Sequence, residues 1–217
     1  MTEVKRTYDA SGRQERARAR QRAVVLAARE LFEQEGFRAT TIAAVAKAAG
    51  VSAESVYKGF GTKAALAKAV FDQVLAGDDE PVPVAERPES LAIQAEPDVR
   101  RKIALYVPGL AHRQEQSAKV QILIRDGRHT DDTLEEVWQK LLDERLTGME
   151  MMARHLVDTG QLRAGIDHPE VRDLLWTYIA VEQYELLVLQ RRWSLDRYTA
   201  WLTQAITAAL CDPSTNN

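Results

Sequence analysis

Features that mark exported or membrane proteins are scarce in this sequence. There is a single cysteine, Cys211, so no disulfide can form within the chain. Charged residues interrupt every apolar stretch before it reaches the ~18 residues that a bilayer crossing needs. No apolar segment follows the basic N-terminus, as it would in a secretory signal. We therefore expect a cytoplasmic protein that has no contact with a membrane.

The residue patterns of common catalytic and metal sites are also missing. The four histidines are scattered without metal-ligand spacing, and no base is identifiable for Cys211. There is no Gly-rich phosphate loop after a strand and no HExxH zinc motif. These absences predict that the protein is not an enzyme and has no catalytic residue, metal ion or cofactor.

Strand patterns are absent too, because apolar and polar residues nowhere alternate over a sustained run. Helix formers dominate, so the predicted fold class is all-α. Four helices are expected before residue 77. The first runs from about Arg16 to Glu35 and ends at Gly36. The second is capped by Thr40 or Thr41, the third is capped by Ser52, and the fourth runs from about Thr62 into Val74.

The rest of the chain begins with a change in composition. Residues 77–96 hold three of the seven prolines and six acidic residues, which predicts a flexible connection. Beyond it, Pro97 is expected to open a helix that Pro108 bends or ends, and Asp126-Gly127 is expected to close the next helix. Asp132 with Glu135 resembles a capping box that opens a long helix. Pro169 is expected to open a long penultimate helix, and Ser194 is expected to cap the last one.

Charge is distributed unevenly along the chain. Residues 1–75 carry 13 Lys+Arg and 8 Asp+Glu, a net charge of +5, whereas the remainder carries 16 and 24, a net charge of −8. Together they give the overall charge of −3. A basic N-terminal part on an acidic body is typical of a module that binds nucleic acid, although chance variation would also produce it.

The segment from Thr41 to Lys63, TIAAVAKAAGVSAESVYKGFGTK, has the pattern of a helix-turn-helix. Such a motif needs small residues where its helices meet, a glycine in the turn and a polar outer face on the second helix. Ala46, Ala49 and Gly50 meet the first two needs. The outward-facing positions are Ser52, Ala53, Glu54, Ser55, Tyr57 and Lys58. A tight three-helix core with a solvated face would share this pattern.

Short polar side chains on that face allow close approach to base edges in a major groove. Tyr57 and Lys63 suit phosphate contacts, which fix the register of a protein on DNA. The run GFRATTIAAVAKAAGVSAESVYKGFGTKAAL resembles the N-terminal domain of the TetR (tetracycline-repressor) family. The matching residues are Gly36, Phe37, Thr40, Thr41, Ala46, Ala49, Gly50, Val51, Ser52, Val56, Tyr57, Phe60, Lys63 and Leu66.

The resemblance implies roles for individual residues. Thr41 and Tyr57 are expected to hold phosphates, and Lys63 is expected to anchor the start of the fourth helix. The residues expected nearest the bases are Ala53, Glu54, Ser55 and Lys58. Gly59 departs from the family, which usually has an aromatic residue or histidine there, and a glycine loosens the end of the recognition helix.

For the C-terminal helices the resemblance implies a domain that binds small molecules and dimerises through its last two helices. The segment after Pro169 is apolar around much of its circumference, which supports a homodimer independently. An apolar or amphipathic organic effector is expected, because pockets between helices are mostly apolar. The candidate ligand-binding residues, each equally suited to the core, are Tyr106, His112, Trp138, Met149, Met152 and Trp176.

The predicted organisation is a flexible basic arm (1–15), a TetR-type helix-turn-helix DNA-binding domain (16–76), the connection (77–96) and a helical ligand-binding and dimerisation domain (97–217). Arginines of the N-terminal segment either enter the minor groove beside the recognition helix or form an uninvolved tail. We predict a sequence-specific transcriptional regulator that binds double-stranded operator DNA as a homodimer, a repressor released by a small organic effector. A constitutive, nucleoid-like DNA-binding protein without an effector is the alternative.

Overall fold

The computed structural model describes residues 8–76 and 87–213. Regular structure in these ranges is helical, with no strand, which confirms the all-α prediction. A π-helical segment, Glu185–Gln190, lies between α9 and α10. The α-helices are α1 (Tyr8–Ala39), α2 (Ile42–Ala48), α3 (Ala53–Phe60), α4 (Lys63–Ala76), α5 (Pro88–Ala95), α6 (Val99–Gly127), α7 (Asp132–Val157), α8 (His168–Tyr178), α9 (Val181–Tyr184) and α10 (Leu195–Leu210).

Two compact units make up the chain. The first comprises residues up to Gln73 together with Leu123–Val137, and the second comprises Val74–Ile122 and the residues from Trp138 onward. The first unit thus includes the end of α6 and the beginning of α7, where Ile124 and Leu134 are fully buried. None of the helices in the described ranges combines the length and apolar character that crossing a membrane needs.

The first unit is built on α1 to α4, and α2 packs against both α1 and α3. Its core includes Ala28 and Phe32 of α1, Val45 of α2 and Leu66 of α4, which are all fully or almost fully buried. The predicted starts of α2, α3 and α4 are confirmed by cap hydrogen bonds. The accepting hydroxyls belong to Thr41, Ser52 and Thr62.

The helix end expected at Gly36 is a break within α1. Gly36 has φ 80° and ψ 168°, a backbone conformation that is essentially restricted to glycine. One further turn follows and leads to the buried Thr40, whose Oγ1 donates to the Gly36 carbonyl at 2.9 Å. The break turns the chain from the long part of α1 toward α2.

Two segments predicted to be flexible are helical instead. Residues 8–15 continue α1, and Pro88–Ala95 forms α5 within the predicted connection. Residues 13–22 are arginine, glutamine, glutamate and alanine, which are strong helix formers, so α1 extends beyond its packed part. Pro88 lies in the first turn of α5, where its missing N–H is not needed. Residues 1–7 and 77–86 of these two segments lie outside the described ranges.

Helix α6 does not end at Pro108 but continues through it to Gly127, where the predicted end is confirmed. Pro108 and Ala104 are both exposed, so water can bond the Ala104 carbonyl that the proline leaves without a donor. The cap of α7 is Asp131 rather than Asp132. Its Oδ1 accepts from the backbone N–H of Thr133 at 3.0 Å.

The predicted penultimate helix is interrupted after α8. Ala180 has extended backbone angles, φ −61° and ψ 139°, and separates α8 from α9. The buried Gln114 side chain donates from Nε2 to the Ile179 carbonyl at 2.8 Å, and the Tyr198 hydroxyl donates to Gln114 Oε1 at 2.8 Å. This network supplies a donor to a carbonyl beside the break, where the helical bonding pattern is interrupted. Ser194 caps α10 as predicted.

The backbone of Gly36 leads to a stability prediction. Gly36→Ala should lower the free energy of unfolding by about 1–3 kcal/mol, because alanine is strained at this φ and ψ. Gly59→Ala is the matched control: its backbone is helical and nothing lies within 4 Å of the added Cβ. It should raise the free energy of unfolding by up to about 1 kcal/mol. Urea denaturation measures both, and an equal effect of the two variants would contradict the assignment.

Candidate nucleic-acid interface

Helix α3 is anchored on one side and open on the other. Val56 is 1% exposed and fixes the helix to the core of the first unit. Glu54, Ser55, Tyr57 and Lys58 are exposed, and Tyr57 keeps 55% of its surface accessible despite its size. The face that the sequence assigned to DNA is therefore available along both turns of the helix.

Two of the predicted contact residues also cap helices. The Oγ of Ser52 accepts from the Ser55 N–H at 3.1 Å, and the two serine Oγ atoms lie 2.8 Å apart. Thr41 Oγ1 accepts from the Ala44 N–H at 3.1 Å. Because an accepting hydroxyl keeps its own hydrogen as a donor, the exposed Thr41 retains a donor for a phosphate oxygen. Ala53 is half-buried at the first position of α3.

The turn between α2 and α3 is short and specific. Gly50 has a positive φ of 68°, which glycine adopts without strain. The Val51 N–H then donates to the Ala46 carbonyl at 3.0 Å and closes the turn. Ala46 is buried there, so the small residues expected at the meeting point of the two helices do lie in it.

Lys63 occupies a different environment from the other predicted DNA contacts. Its Nζ donates to the carbonyls of Phe37 at 2.8 Å and Thr40 at 3.1 Å, and lies 4.2 Å from the centroid of the Phe37 ring. The side chain is half-buried. An ammonium has three N–H donors, so at most one remains for a phosphate. The geometry makes Lys63 a link between the end of α1 and the start of α4.

The charge of Lys63 is coupled to that of Asp131, a residue of the same unit. Burial lowers the pKa of Lys63, and the negative charge of Asp131 opposes that change. The hydrogen bond from the Thr133 hydroxyl is the main cause that lowers the pKa of Asp131, and Lys63 contributes to the lowering. Each group therefore favours the ionised form of the other.

The six predicted ligand-binding residues all lie in the second unit but in unlike environments. Those in the core are Trp138, Met149 and Met152, whereas Tyr106 and Trp176 are half-buried and His112 is exposed. His112 Nδ1 lies 3.3 Å from Glu115 Oε2, which is a surface contact. Burial raises the pKa of Tyr106, and Arg113 opposes that rise. These environments do not define one binding site.

Trp176 is held by a partner that the sequence analysis did not identify. The guanidinium of Arg145 lies 4.4 Å from the ring centroid, and Trp176 Nε1 donates to the Leu142 carbonyl at 3.4 Å. Burial lowers the pKa of Arg145, and Glu182 opposes the change. Arg145 Nε is buried with no hydrogen-bond partner among the described residues. An arginine within a long polar helix gives no sequence signal of this role.

A groove of about 530 Å³ lies elsewhere in the second unit. It is lined by Arg100, Ala104, Ala200, Thr203, Gln204, Thr207, Ala208, Cys211, Asp212 and Pro213. None of the six predicted ligand-binding residues lines it. No group of three or more histidine, cysteine or acidic side chains in the described ranges is arranged to hold a metal ion.

An anchored helix with an exposed polar face, preceded by a glycine turn, is the arrangement of a helix-turn-helix motif. The model of the tetR family of bacterial regulatory proteins matches residues 24–70, a range that contains all of α2 and α3. No curated protein sequence matches this chain.

Solved structures share the fold over most of the chain. A TetR-family transcriptional regulator from Rhodococcus sp. is 17% identical with a TM-score of 0.69, covering 89% of this chain and 99% of its own. FadR from Bacillus subtilis in complex with stearoyl-CoA is 17% identical with a TM-score of 0.68, covering 87% and 98%. NalD, the secondary repressor of the MexAB-OprM efflux pump in Pseudomonas aeruginosa, is 21% identical with a TM-score of 0.68, covering 91% and 98%.

The family model identifies residues 24–70 as a TetR-type DNA-binding segment, and the solved structures share the fold over most of the chain. The recognition made from the motif between Gly36 and Leu66 is thereby confirmed. At these identities the solved structures establish the fold alone.

The contacts of Lys63 predict a loss of stability when the ammonium is removed. Lys63→Met should lower the free energy of unfolding by about 1–3 kcal/mol, because two carbonyls lose a charged donor. Lys58→Met, at an exposed position of α3, is the control and should change it by less than about 0.5 kcal/mol. Chemical denaturation of both variants is the measurement. A Lys63 variant as stable as the control would show that the ammonium has no structural role.

Proposed function

We propose that this protein is a cytoplasmic repressor that binds operator DNA as a homodimer and is released from it by a small organic effector. The observation that carries the proposal is the one-sided burial of α3, which is anchored by Val56 and exposes Glu54, Ser55, Tyr57 and Lys58. The role of NalD as a repressor supports the sign of regulation. The proposed role is regulatory and involves no catalysis.

Within this proposal the predicted DNA contacts of α3 and of the α2 cap divide into two groups. Glu54, Ser55 and Lys58 read bases together with Ala53: a glutamate accepts from cytosine N4, a serine pairs with several bases, and a lysine donates to guanine O6 and N7. Tyr57 and Thr41 hold phosphates and fix the register. Ser52 caps the recognition helix, and Lys63 links the end of α1 to the start of α4.

The two groups predict different effects of substitution. Tyr57→Phe keeps the ring and removes the phosphate donor, so it should weaken binding to all sequences alike. Glu54→Gln should instead change the preferred base at one position of each half-site, with about 1–3 kcal/mol of discrimination lost. Binding-site selection with the wild type and both variants gives the two profiles. A change in base preference for Tyr57→Phe but not for Glu54→Gln would reverse the roles.

Dimerisation is proposed to use the surface that follows α9. Leu186 and Leu189 of the π-helical segment are 51% and 44% exposed, although both are large and apolar. Exposed leucines three residues apart are expected where a second copy covers them. A homodimer places two α3 helices on half-sites of a pseudo-palindromic operator.

The exposed leucines predict a change in oligomeric state. Leu186→Lys combined with Leu189→Lys should yield a monomer, because burying each leucine contributes about 1.5–3 kcal/mol and burying each lysine is unfavourable. Leu26→Lys, at an equally exposed leucine of α1, should leave the dimer intact. Light scattering at micromolar concentration measures the mass. Wild-type protein that is monomeric under these conditions would rule out the homodimer itself.

The effector is proposed to bind in the second unit near Trp176, whose ring is half-buried and in contact with the guanidinium of Arg145. An effector lowers operator affinity only if it prefers a conformation that no longer fits the half-site spacing. The stearoyl-CoA bound to FadR makes a long-chain acyl-CoA the first compound to test.

The coupling between effector and operator must be reciprocal. Operator DNA should weaken effector binding by the same factor by which the effector weakens operator binding, commonly about 5- to 150-fold. Tryptophan fluorescence titrations with the effector, with and without operator, measure its affinity in both conditions. Trp176→Phe should remove most of the fluorescence change. Operator binding that no compound alters would favour the constitutive DNA-binding protein.

A further inference from the structure

Gly59 lies inside α3, where the fold does not require a glycine. The residue is exposed, and the helix continues past it to Gly61, whose N–H donates to the Tyr57 carbonyl at 2.8 Å. A Cβ added at Gly59 would meet nothing within 4 Å in the described ranges. Alanine is more favourable than glycine inside a helix. An alanine would therefore fit at this position and stabilise the free protein.

Gly59 and Tyr57 lie on opposite flanks of the exposed face of α3. At 100° per residue they are about 160° apart around the helix axis, and Lys58 lies between them, about 100° from each. Ser55, one turn earlier, is about 40° from Gly59. All four residues are exposed, and Tyr57 keeps 55% of its surface accessible. One flank of the face thus carries a large ring, and the other carries no side chain at Gly59.

The width of the major groove gives this asymmetry a consequence. With its side chains an α-helix is about 10–12 Å across, and the major groove is about 12 Å wide. Both flanks of a recognition helix therefore meet a DNA strand when Lys58 points toward the bases. The Cα atoms lie about 2.3 Å from the helix axis, so a strand can approach a flank without side chains about 3 Å more closely.

The ring of Tyr57 makes that closer approach necessary. A tyrosine between α3 and one strand displaces the helix toward the opposite strand, because the groove has no spare width. Gly59 is on the flank that meets this second strand. A side chain there would hold the helix away from the strand, or would force the groove to widen at a cost in free energy.

We propose that Gly59 determines operator affinity, because the DNA strand opposite the one held by Tyr57 packs directly against the main chain of α3 at this residue. The contact is steric, is made with the sugar–phosphate backbone and requires that no side chain be present. It rests on the proposed DNA-binding function and adds a residue to neither the base-reading group nor the phosphate-holding group.

The first test measures stability and operator binding on the same variant. Gly59→Ala should unfold at a higher urea concentration than the wild type but bind the operator about 5- to 150-fold more weakly, the factor that overpacking a close contact corresponds to. Gly148→Ala is the matched control, since Gly148 is a helical glycine of α7 with nothing within 4 Å of an added Cβ. It should gain stability and keep wild-type affinity. Wild-type or tighter binding by Gly59→Ala would overturn the proposal.

The second test varies the side chain at position 59. Gly59→Leu should bind more weakly than Gly59→Ala, because both residues favour a helix but leucine is larger. Equal losses would indicate that α3 needs flexibility at this position and would overturn the steric contact. Gly59→Lys should also weaken binding. On a flank with free space beside a phosphate, the lysine would instead tighten binding and steepen the slope of log affinity against log salt by about 0.9, which would contradict the proposal.

The third test asks whether Tyr57 sets the position of the helix. Tyr57→Ala removes the ring, so α3 can move away from the strand beside Gly59. Gly59→Ala should then weaken operator binding by a smaller factor in the Tyr57→Ala background than in the wild type. Fluorescence anisotropy with a labelled operator measures the four affinities of this cycle. The same factor in both backgrounds would overturn the proposal.

The choice of DNA separates failure of this inference from failure of the proposed function. Each variant is measured on a site selected by the full-length wild type and on a duplex of unrelated sequence. If the wild type selects no site, the proposed function and this inference fail together. If it selects a site that Gly59→Ala binds equally well, the inference alone fails.

Discussion

The ammonium of Lys63 joins the helix ends on which the arrangement of the DNA-binding unit depends. The break at Gly36 interrupts the hydrogen-bond ladder of α1, and the carbonyls of Phe37 and Thr40 lie at the resulting turn. Lys63 donates to both and rests on the Phe37 ring, so the start of α4 is fixed to the end of α1. Since α2 begins two residues after Thr40, this side chain also contacts the backbone just before the helix-turn-helix.

The recognition helix depends on that frame because it is too short to be stable alone. An isolated helix of fewer than about 12–15 residues is marginal in water, and α3 has 8. Its stability comes from the Ser52 cap, the turn at Gly50 and the burial of Val56. The cap and the turn lie at the start of α3, and Val56 lies on its buried side. The remaining side chains of α3 stay exposed on its outer side.

Buried polar side chains have a corresponding structural role in the second unit. Lys102 is 4% exposed, and its Nζ donates to the carbonyls of Gln94 at 2.9 Å and His155 at 3.3 Å. Gln114 bonds the carbonyl of Ile179 at the break after α8, and burial raises the pKa of Tyr198, so its hydroxyl stays protonated and donates to Gln114. A movement of α8 relative to α6 would break the bond from Gln114 to the Ile179 carbonyl.

The sequence by itself determined the fold class, the caps at Ser52 and Ser194, and the helix-turn-helix motif, because local hydrogen bonds and the small residues of the turn leave a readable pattern. It left the cap of α2 open between Thr40 and Thr41, and the structure assigns it to Thr41. Only the tertiary structure decided the role of Lys63, whose partners lie 23 and 26 residues away, and the pairing of Arg145 with Trp176. It also showed the break after Ile179, since the donor that satisfies the carbonyl there comes from Gln114, 65 residues earlier. The helical state of residues 13–15 was within reach of the sequence, because strong helix formers continue without a breaker from Arg13, whereas Ser11 and Gly12 gave no such signal.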